Sequence, residues 1–278
     1  MNEGPERMTD VPEPLITVLT VTRRSENLSR CIHSVRAQTY QGPTRHLILV
    51  DDNEDCHDAA RSESVPDGDI LFQFRGPSET DGPARLAELR NRAVTAAGDT
   101  WMAFLDDDNR WDAGHLRSLW RAVVDNGADL AHSQRKIYEA DGSPFLREEF
   151  PWGRDELTRR AIYAYCLVVG VMSPDSNVMR DQMGMRFTWI DLGEWLFPPG
   201  FLQANPFGTT YDAWDWYNIS VEDKDLPRAV FNSGMTVAAT GEPTLHYFMG
   251  GYTNSAEDAS VYWRKPQEGS PPGRVARA

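Results

Sequence analysis

The stretch Trp101–Trp111, which reads WMAFLDDDNRW, joins a short apolar run to three consecutive aspartates. An apolar run of this length is typical of a strand that is buried on both faces, as in a parallel sheet. Asp106, Asp107 and Asp108 follow its carboxyl end, where open α/β sheets bind their ligands. Neighbouring carboxylates repel one another, and a bound divalent cation relieves that repulsion. The stretch therefore predicts a metal or ligand site, although a solvated acidic turn that caps the next helix would explain it too.

The first 127 residues alternate predicted strands with predicted helices, which is typical of a parallel, doubly wound α/β sheet. Besides the opening stretch, three apolar segments are predicted strands: Leu15–Val21, His46–Val50 and Ile70–Phe74. The second of these also runs into acids, Asp51 and Asp52. Because parallel strands end at the same edge of a sheet, we expect both acidic clusters to lie at that edge.

Three segments with apolar residues at helical spacing are predicted to connect the strands. Ser25 can cap the first helix, and the second covers Ala84–Ala97. The third begins at Asp112 and closes at Gly127, since glycine is the usual residue just after a helix.

The pattern is weaker after residue 127. We expect a strand, an apolar core segment that is either strand or helix, a helix and a last strand, in this order: Asp129–Glu139, Ala161–Met172, Val221–Asn232 and Thr236–Thr240. Pro227 should confine the regular part of the helix to its C-terminal side. Residues 1–14 are predicted to be a flexible arm, and residues 251–278 a mobile loop followed by a disordered tail.

The composition excludes several classes of protein. With 28 Lys and Arg against 42 Asp and Glu, the net charge of −14 offers no basic surface for nucleic acid or anionic membranes. The three cysteines, Cys31, Cys56 and Cys166, form no CxxC pair, which argues against a zinc site or a disulfide framework. The longest apolar run, Ala161–Met172, is too short to span a bilayer. We therefore expect a soluble, cytoplasmic protein without an integral membrane segment.

Three motifs together resemble the family 2 inverting glycosyltransferases of the glycosyltransferase-A fold. They are VDDN at residues 50–53, LRNRAVTAAGD at residues 89–99 and FLDDDNRW at residues 104–111. The likeness covers residues 15–127 well and residues 128–250 more thinly. It implies a Rossmann-like fold with a mostly parallel central sheet flanked by helices. Residues 15–127 would bind a nucleotide-diphosphate sugar, and residues 128–250 would form an irregular acceptor-binding and catalytic part of the same domain.

The resemblance also assigns residues to the nucleotide. Asp52 would accept a hydrogen bond from the base, commonly uracil or thymine, and Thr20 and Arg23 would lie against the same base and ribose. The second predicted helix carries three arginines, Arg85, Arg90 and Arg92. One or more of them could hold the diphosphate as bidentate donors, although arginines on a helix more often form a solvated face.

The implied metal site is built on the acidic triplet. Asp108 would bind Mn²⁺ or Mg²⁺ and Asp107 the ribose, while Asp106 occupies the first position of a DxD-type motif and could share either task. The ion would neutralise the charge of the diphosphate leaving group. His246 matches a histidine that many members carry after the last core strand and would complete the metal shell, although a lone histidine is usually structural.

Inversion requires one general base that deprotonates the acceptor hydroxyl. In the resembled family this base is an acid that opens a helix in the second half, and Asp223 is the best positional match. The alternatives are Glu222, Asp212 and Asp215. An acid at a helix start is ordinarily a cap or a partner of the helix dipole, so the position alone does not decide the role.

The sequence thus predicts a metal-dependent inverting glycosyltransferase with a UDP- or dTDP-type donor. A small molecule or a glycan would be the acceptor, in natural-product or cell-surface glycan biosynthesis, and a homo-oligomer is left open. One alternative is a sugar nucleotidyltransferase, but its glycine-rich N-terminal loop is missing because residues 20–25 contain no glycine. The other is a catalytically silent nucleotide-sugar-binding protein, which Asp52, Asp107, Asp108 and Asp223 together argue against.

Overall fold

The computed structural model describes residues 12–24, 26–74, 82–153, 155–180, 190–212, 215 and 221–250. The predicted C-terminal tail, most of the predicted N-terminal arm and the predicted helix cap Ser25 lie outside these residues.

A four-stranded parallel sheet is built from the first half of the chain. Its strands are β1 (Ile16–Thr22), β2 (Thr44–Asp51), β3 (Ile70–Gln73) and β4 (Trp101–Phe104). They lie in the order β3-β2-β1-β4, and every neighbouring pair is parallel. The predicted α/β fold with a parallel central sheet is confirmed, and the carboxyl ends of β1, β2 and β4 meet at one edge.

Three helices flank this sheet: α1 (Leu28–Arg36), α2 (Glu54–Ser62) and α3 (Gly82–Ala97). The next helix, α4 (His115–Asn126), packs mainly against strands of the second sheet described below. The side chain of Asn53 caps α2 by accepting from two backbone N–H groups. Gly127 ends α4 in the left-handed conformation, as predicted. The predicted start of α4 at Asp112 is wrong, because the carboxylate of Asp112 is bound by Lys136 and His246 and the helix begins three residues later.

A second sheet is built mainly from the second half of the chain. Its strands are β5 (Arg110–Trp111), β6 (Leu130–Tyr138), β7 (Val178–Met179), β8 (Trp195–Leu196) and β9 (Val237–Phe248). The order is β5-β9-β6-β7 with β8 also paired to β6, and only β6 and β9 are parallel. β9 extends beyond the predicted last strand, Thr236–Thr240. The prediction stopped short because the exposed middle of β9, around Gly241 and Glu242, lacks the apolar pattern of a strand.

Three helices complete the described part of the second half: α5 (Glu156–Val168), α6 (Phe201–Ala204) and α7 (Leu226–Ser233). The segment Ala161–Met172 is not the continuous core element that its apolar character predicted, since α5 buries Tyr163 and Cys166 but leaves Val168 86% exposed. α7 covers the C-terminal side of the predicted helix Val221–Asn232, as expected from Pro227, because proline is tolerated only in the first turn of a helix.

The two sheets share one apolar core. Ile16 of β1 and Ala103 of β4 pack in the same buried cluster as Ala131 of β6 and Leu245 of β9. The chain passes from the first sheet to the second between β4 and β5, so residues 105–109 lie at the junction of the sheets. Among the described residues, no helix combines the length and the apolarity needed to cross a membrane.

Candidate active site

The acidic triplet Asp106–Asp108 forms the turn between β4 and β5. Its start is held by the backbone N–H of Leu105, which donates to Leu19 of β1 at 3.0 Å. Its end is held by Asn109, whose side-chain oxygen accepts from the N–H of Phe248 in β9 at 3.0 Å. The turn is therefore fastened to both sheets, which fixes the position of its carboxylates.

Asp107 and Asp108 converge on one guanidinium nitrogen. Nη2 of Arg24 lies 3.2 Å from Oδ1 of Asp107 and 2.9 Å from Oδ2 of Asp108. The hydroxyl of Thr22 donates to the other oxygen of Asp107 at 2.7 Å. These two carboxylates thus present oxygens to a common cation.

Burial raises the pKa of Asp108 to about 7, and repulsion from Asp107 and Asp106 adds to the effect while Arg24 opposes it. Burial likewise raises the pKa of Asp107 against the attraction of Arg24. The positive charge of Arg24 therefore compensates the ionised form of these groups only in part. A divalent cation would compensate it further, since nearby positive charge favours the carboxylate form.

Arg90 connects the triplet to the acids of the second half. Its Nη2 donates to Oδ1 of Asp106 at 2.8 Å, and its Nη1 donates to Oε1 of Glu222. Both Arg90 and Glu222 are buried. The alternative of a solvated arginine face is thus wrong for Arg90, which brings residues 106 and 222 to one site.

The other two candidate arginines lie elsewhere. Arg85 is also buried, and its guanidinium donates to Asp51 at the end of β2, at 2.7 Å from Nη2. Arg92 is exposed on α3 and lines an open cavity of about 540 Å³ beside β3, together with Phe72 and Gln73. In this structure neither reaches the acidic triplet through a described hydrogen bond, and their contact with a diphosphate stays a prediction.

Asp223 follows Glu222 in the turn before α7. Burial raises its pKa to about 8, with Glu222 adding to the effect and Arg90 opposing it. The alternative bases Asp212 and Asp215 accept from each other's backbone N–H groups at 2.9 and 3.1 Å, and Lys224 binds Asp215. Asp223 and Glu222 are thus the two predicted bases whose surroundings include the triplet, and Glu222 is the one that Arg90 binds.

The predicted nucleotide residues of β1 and β2 have different surroundings. Asp52 is exposed and adopts the left-handed conformation with φ 51°. Asn53 donates to the carbonyl of Arg23 at 2.8 Å, which ties the ends of β1 and β2 together. Thr20 is fully buried, and its hydroxyl donates to the carbonyl of Leu105 at 2.7 Å. Thr20 is thus bound to the residue that follows β4, and its contact with the nucleotide stays a prediction.

His246 lies on β9 opposite Arg110 of β5. Its Nε2 is 2.7 Å from Oδ1 of Asp112, and its ring stacks on Tyr138 with centroids 5.3 Å apart. Within the described ranges, no group of three or more His, Cys, Asp or Glu side chains is arranged to hold a metal ion. The metal role of His246 stays a prediction, and in this structure the imidazole of His246 is hydrogen-bonded to Asp112.

Sequence reasoning missed two residues of the site, Thr22 and Arg24. Both contact Asp107, although 85 and 83 residues separate them from it along the chain. The signal that could have found them is strand adjacency. β1 and β4 are neighbours, so residues just beyond the end of β1 must lie beside the triplet.

Solved structures support the fold. The chain is similar to residues 1–349 of TarS from S. aureus in complex with UDP-GlcNAc, with a TM-score of 0.53 and 13% identity, over 87% of this chain and 60% of that one. Another crystal structure of S. aureus TarS matches with a TM-score of 0.52 and 12% identity, over 89% and 38%. The chain thus spans about 60% of the first of these structures, and the likeness confirms the glycosyltransferase-A fold alone.

Two sequence comparisons concern the family. The chain is 26% identical over 195 residues to the putative teichuronic acid biosynthesis glycosyltransferase TuaG of Bacillus subtilis (strain 168), covering 66% of this chain and 71% of TuaG. A model of the family described as glycosyl transferase family 2 matches residues 16–183, more than half of the chain. The chain therefore belongs to glycosyl transferase family 2.

Proposed function

We propose that the protein transfers a sugar from a nucleotide-diphosphate sugar to a hydroxyl acceptor with inversion at the anomeric carbon. The observation that carries this proposal is the Arg90 bridge, which places the acidic triplet and the Glu222–Asp223 turn in one site. One carboxylate cluster can then serve the leaving group while the other serves the acceptor.

The donor would bind along the carboxyl ends of β1, β2 and β4. Asp52 and Arg23 are exposed there, at the ends of adjacent strands, and are proposed to contact the base and ribose. Asp107 is proposed to contact the ribose. TarS is similar in fold and was solved with UDP-GlcNAc, which supports a uridine donor, while a thymidine donor remains the alternative.

Asp223 is proposed as the general base. It would take the proton of the acceptor hydroxyl as the acceptor oxygen forms its bond to the anomeric carbon. The bond between that carbon and the phosphate oxygen breaks, and its electron pair leaves with the nucleoside diphosphate. A base works best when its pKa lies near the working pH, and the pKa of about 8 for Asp223 meets that condition.

The donor set at the triplet fits a divalent cation in part. Asp107 and Asp108 already direct oxygens at one positive charge, and hard cations such as Mn²⁺ or Mg²⁺ prefer oxygen ligands. When bound, the ion would supply positive charge at the diphosphate as it leaves. Asp108 is the proposed protein ligand, with Asp106 and His246 as further candidates, and phosphate oxygens would supply other positions.

The acceptor is proposed to be a hydroxyl of a cell-surface glycan or its precursor. Support comes from the relative TuaG, whose name places it in teichuronic acid biosynthesis. A small natural-product acceptor is the alternative.

The direct test is release of nucleoside diphosphate from a panel of UDP- and dTDP-sugars with Mn²⁺ present. We expect release with at least one donor, and weaker binding of the same nucleotide by Asp52→Ala. Asp58→Ala removes an exposed carboxylate from α2, away from the strand ends, and is the matched control. Nucleotide binding without any release in the presence of candidate acceptors would indicate a silent binding protein. Absence of both would overturn the proposal.

A further inference from the structure

Arg24 occupies the place between Asp107 and Asp108 that a shared cation would take. A single nitrogen, Nη2, makes both contacts, at 3.2 and 2.9 Å. The second oxygen of Asp107 accepts from Thr22 at 2.7 Å. An ion bound between these two oxygens could not coexist with Nη2 in this position, because the two cations would occupy the same space and repel each other.

We propose that Arg24 is a resident counter-cation, which a divalent ion must displace from Asp108, and that this competition sets the metal affinity of the site. The inference rests on the metal site of the proposed function. It goes further because Arg24, which lies outside the triplet Asp106–Asp108, would control how tightly the triplet binds its ion.

The setting of Arg24 suits an exchangeable contact. Its side chain is 26% exposed and extends from the turn after β1, whereas the side chain of Arg90 is 4% exposed. Arg90 is held by two acids and lies near two aromatic rings, those of Phe104 and Phe207. Arg24 can therefore move at lower cost than Arg90, since its own side chain is less buried and the incoming ion would take over its charge beside Asp107 and Asp108. Moving Arg90 would leave the buried carboxylate of Glu222 without its cation.

The experiment is a titration of Mn²⁺ followed by electron paramagnetic resonance, which reports free and bound ion without any turnover. The wild type is compared with Arg24→Gln, Arg24→Lys and the control Arg45→Gln. Arg45 pairs with Asp69 at 2.5 Å near the start of β2, so its loss removes the same charge away from the triplet.

We expect Arg24→Gln to bind Mn²⁺ about tenfold more tightly, because one charged hydrogen bond no longer has to be broken. Arg24→Lys should lie between this variant and the wild type, and Arg45→Gln should match the wild type. In the double variant Arg24→Gln/Asp108→Asn the gain should vanish, since the carboxylate for which the two cations compete is gone.

Equal or weaker Mn²⁺ binding by folded Arg24→Gln would overturn the proposal. If that variant folds only when Mn²⁺ is added, recovery of its near-ultraviolet circular dichroism supports the proposal. If it does not fold in either condition, Arg24→Lys decides, and an Mn²⁺ affinity of Arg24→Lys no higher than that of the wild type overturns the proposal.

A UDP titration of the same samples separates the Arg24 proposal from the proposed function. UDP binding without Mn²⁺ binding by any variant ends the Arg24 proposal alone, while absence of both also ends the proposed function.

Discussion

The acidic triplet Asp106–Asp108 and the acidic pair Glu222–Asp223 are both crowded carboxylate clusters, but they are held in different ways. The triplet follows a buried strand, and backbone and side-chain hydrogen bonds fasten it to two sheets. The pair lies on a turn before α7, where Arg90 binds Glu222. The difference teaches that the proposed cation site is fixed by contacts to two sheets, whereas the turn that carries the proposed base is held by Arg90 and by backbone hydrogen bonds within the turn.

The charges around the two clusters differ as well. Arg24 and Arg90 face the triplet, and Arg24 holds the position between Asp107 and Asp108 that a divalent ion is proposed to take. Arg90 faces the pair, and the raised pKa of Asp223 favours holding a proton there. The predictions below test this division between a cluster that binds a cation and one that takes a proton.

The largest effect is expected from Asp223→Asn. Asparagine keeps the size of the side chain but cannot accept the proton, and losing a general base costs about 10²–10⁴-fold in rate. The rate of nucleoside diphosphate release should fall by that amount, while the UDP affinity measured by calorimetry stays unchanged. Asp225→Asn is the matched control, since Asp225 is two residues away and pairs with Arg228. A near-normal rate for Asp223→Asn would place the base elsewhere.

Arg90→Met should break the link between the clusters. Removing one partner of a buried ion pair leaves uncompensated charge, and we expect the free energy of unfolding to fall by about 3–5 kcal/mol. Denaturant unfolding measures this loss. Arg121→Met removes an exposed arginine that lies 3.8 Å from Asp125, and should cost less than about 1 kcal/mol. If both variants lose equally little, Arg90 does not organise the site.

The pH dependence of turnover should report Asp223. A carboxylate base is inactive when protonated, so the rate should rise as the pH passes upward through its pKa of about 8. The charged groups that affect this carboxyl are Glu222, Arg90, Asp191 and Asp106.

Glu222→Gln removes the nearest negative charge and should therefore lower the pKa and move the rise to lower pH, by about one unit. Glu139→Gln, which alters an acid paired with Arg147, is the control and should leave the profile in place. If the pH midpoint of the rate is the same in Glu222→Gln and Glu139→Gln, the pH profile does not report the protonation of Asp223.

The smallest effect is expected from Thr20→Val. Its hydroxyl donates to a buried carbonyl, so its loss should lower the free energy of unfolding by about 1 kcal/mol without changing UDP affinity. Thr22→Val removes the hydrogen bond to Asp107 and should weaken UDP binding instead. Calorimetry and denaturant unfolding on both variants distinguish the two positions. Weaker UDP binding by Thr20→Val would support the predicted contact of Thr20 with the nucleotide.

Local sequence patterns predicted the first sheet well, because each strand is a continuous apolar run and each connecting helix has its own periodicity. They also located the triplet, since an acid cluster at a strand end is visible within eleven residues of sequence. They failed for β9, whose middle is polar and exposed, and for the start of α4, where Asp112 binds Lys136 and His246 instead of opening the helix.

The contacts that assemble the candidate site were beyond such patterns. Arg90 and Glu222 are 132 residues apart, and Arg24 and Asp108 are 84 residues apart. Ion pairs of this kind depend on how sheets and turns meet in space, which the adjacency of β1 and β4 indicates for Arg24 but the spacing of residues along the chain does not. For the same reason Arg90 could not be distinguished from Arg92, although one is buried and the other exposed.

If Asp52 contacts the nucleobase as proposed, its backbone limits how the donor preference of this protein can be redesigned. Its φ of 51° is a conformation that aspartate, asparagine and glycine adopt readily and β-branched side chains do not. Mutant libraries that fully randomise position 52 would consist mainly of strained proteins. Diversity for a new nucleobase is better placed at Arg23, whose side chain is exposed and whose carbonyl Asn53 already holds.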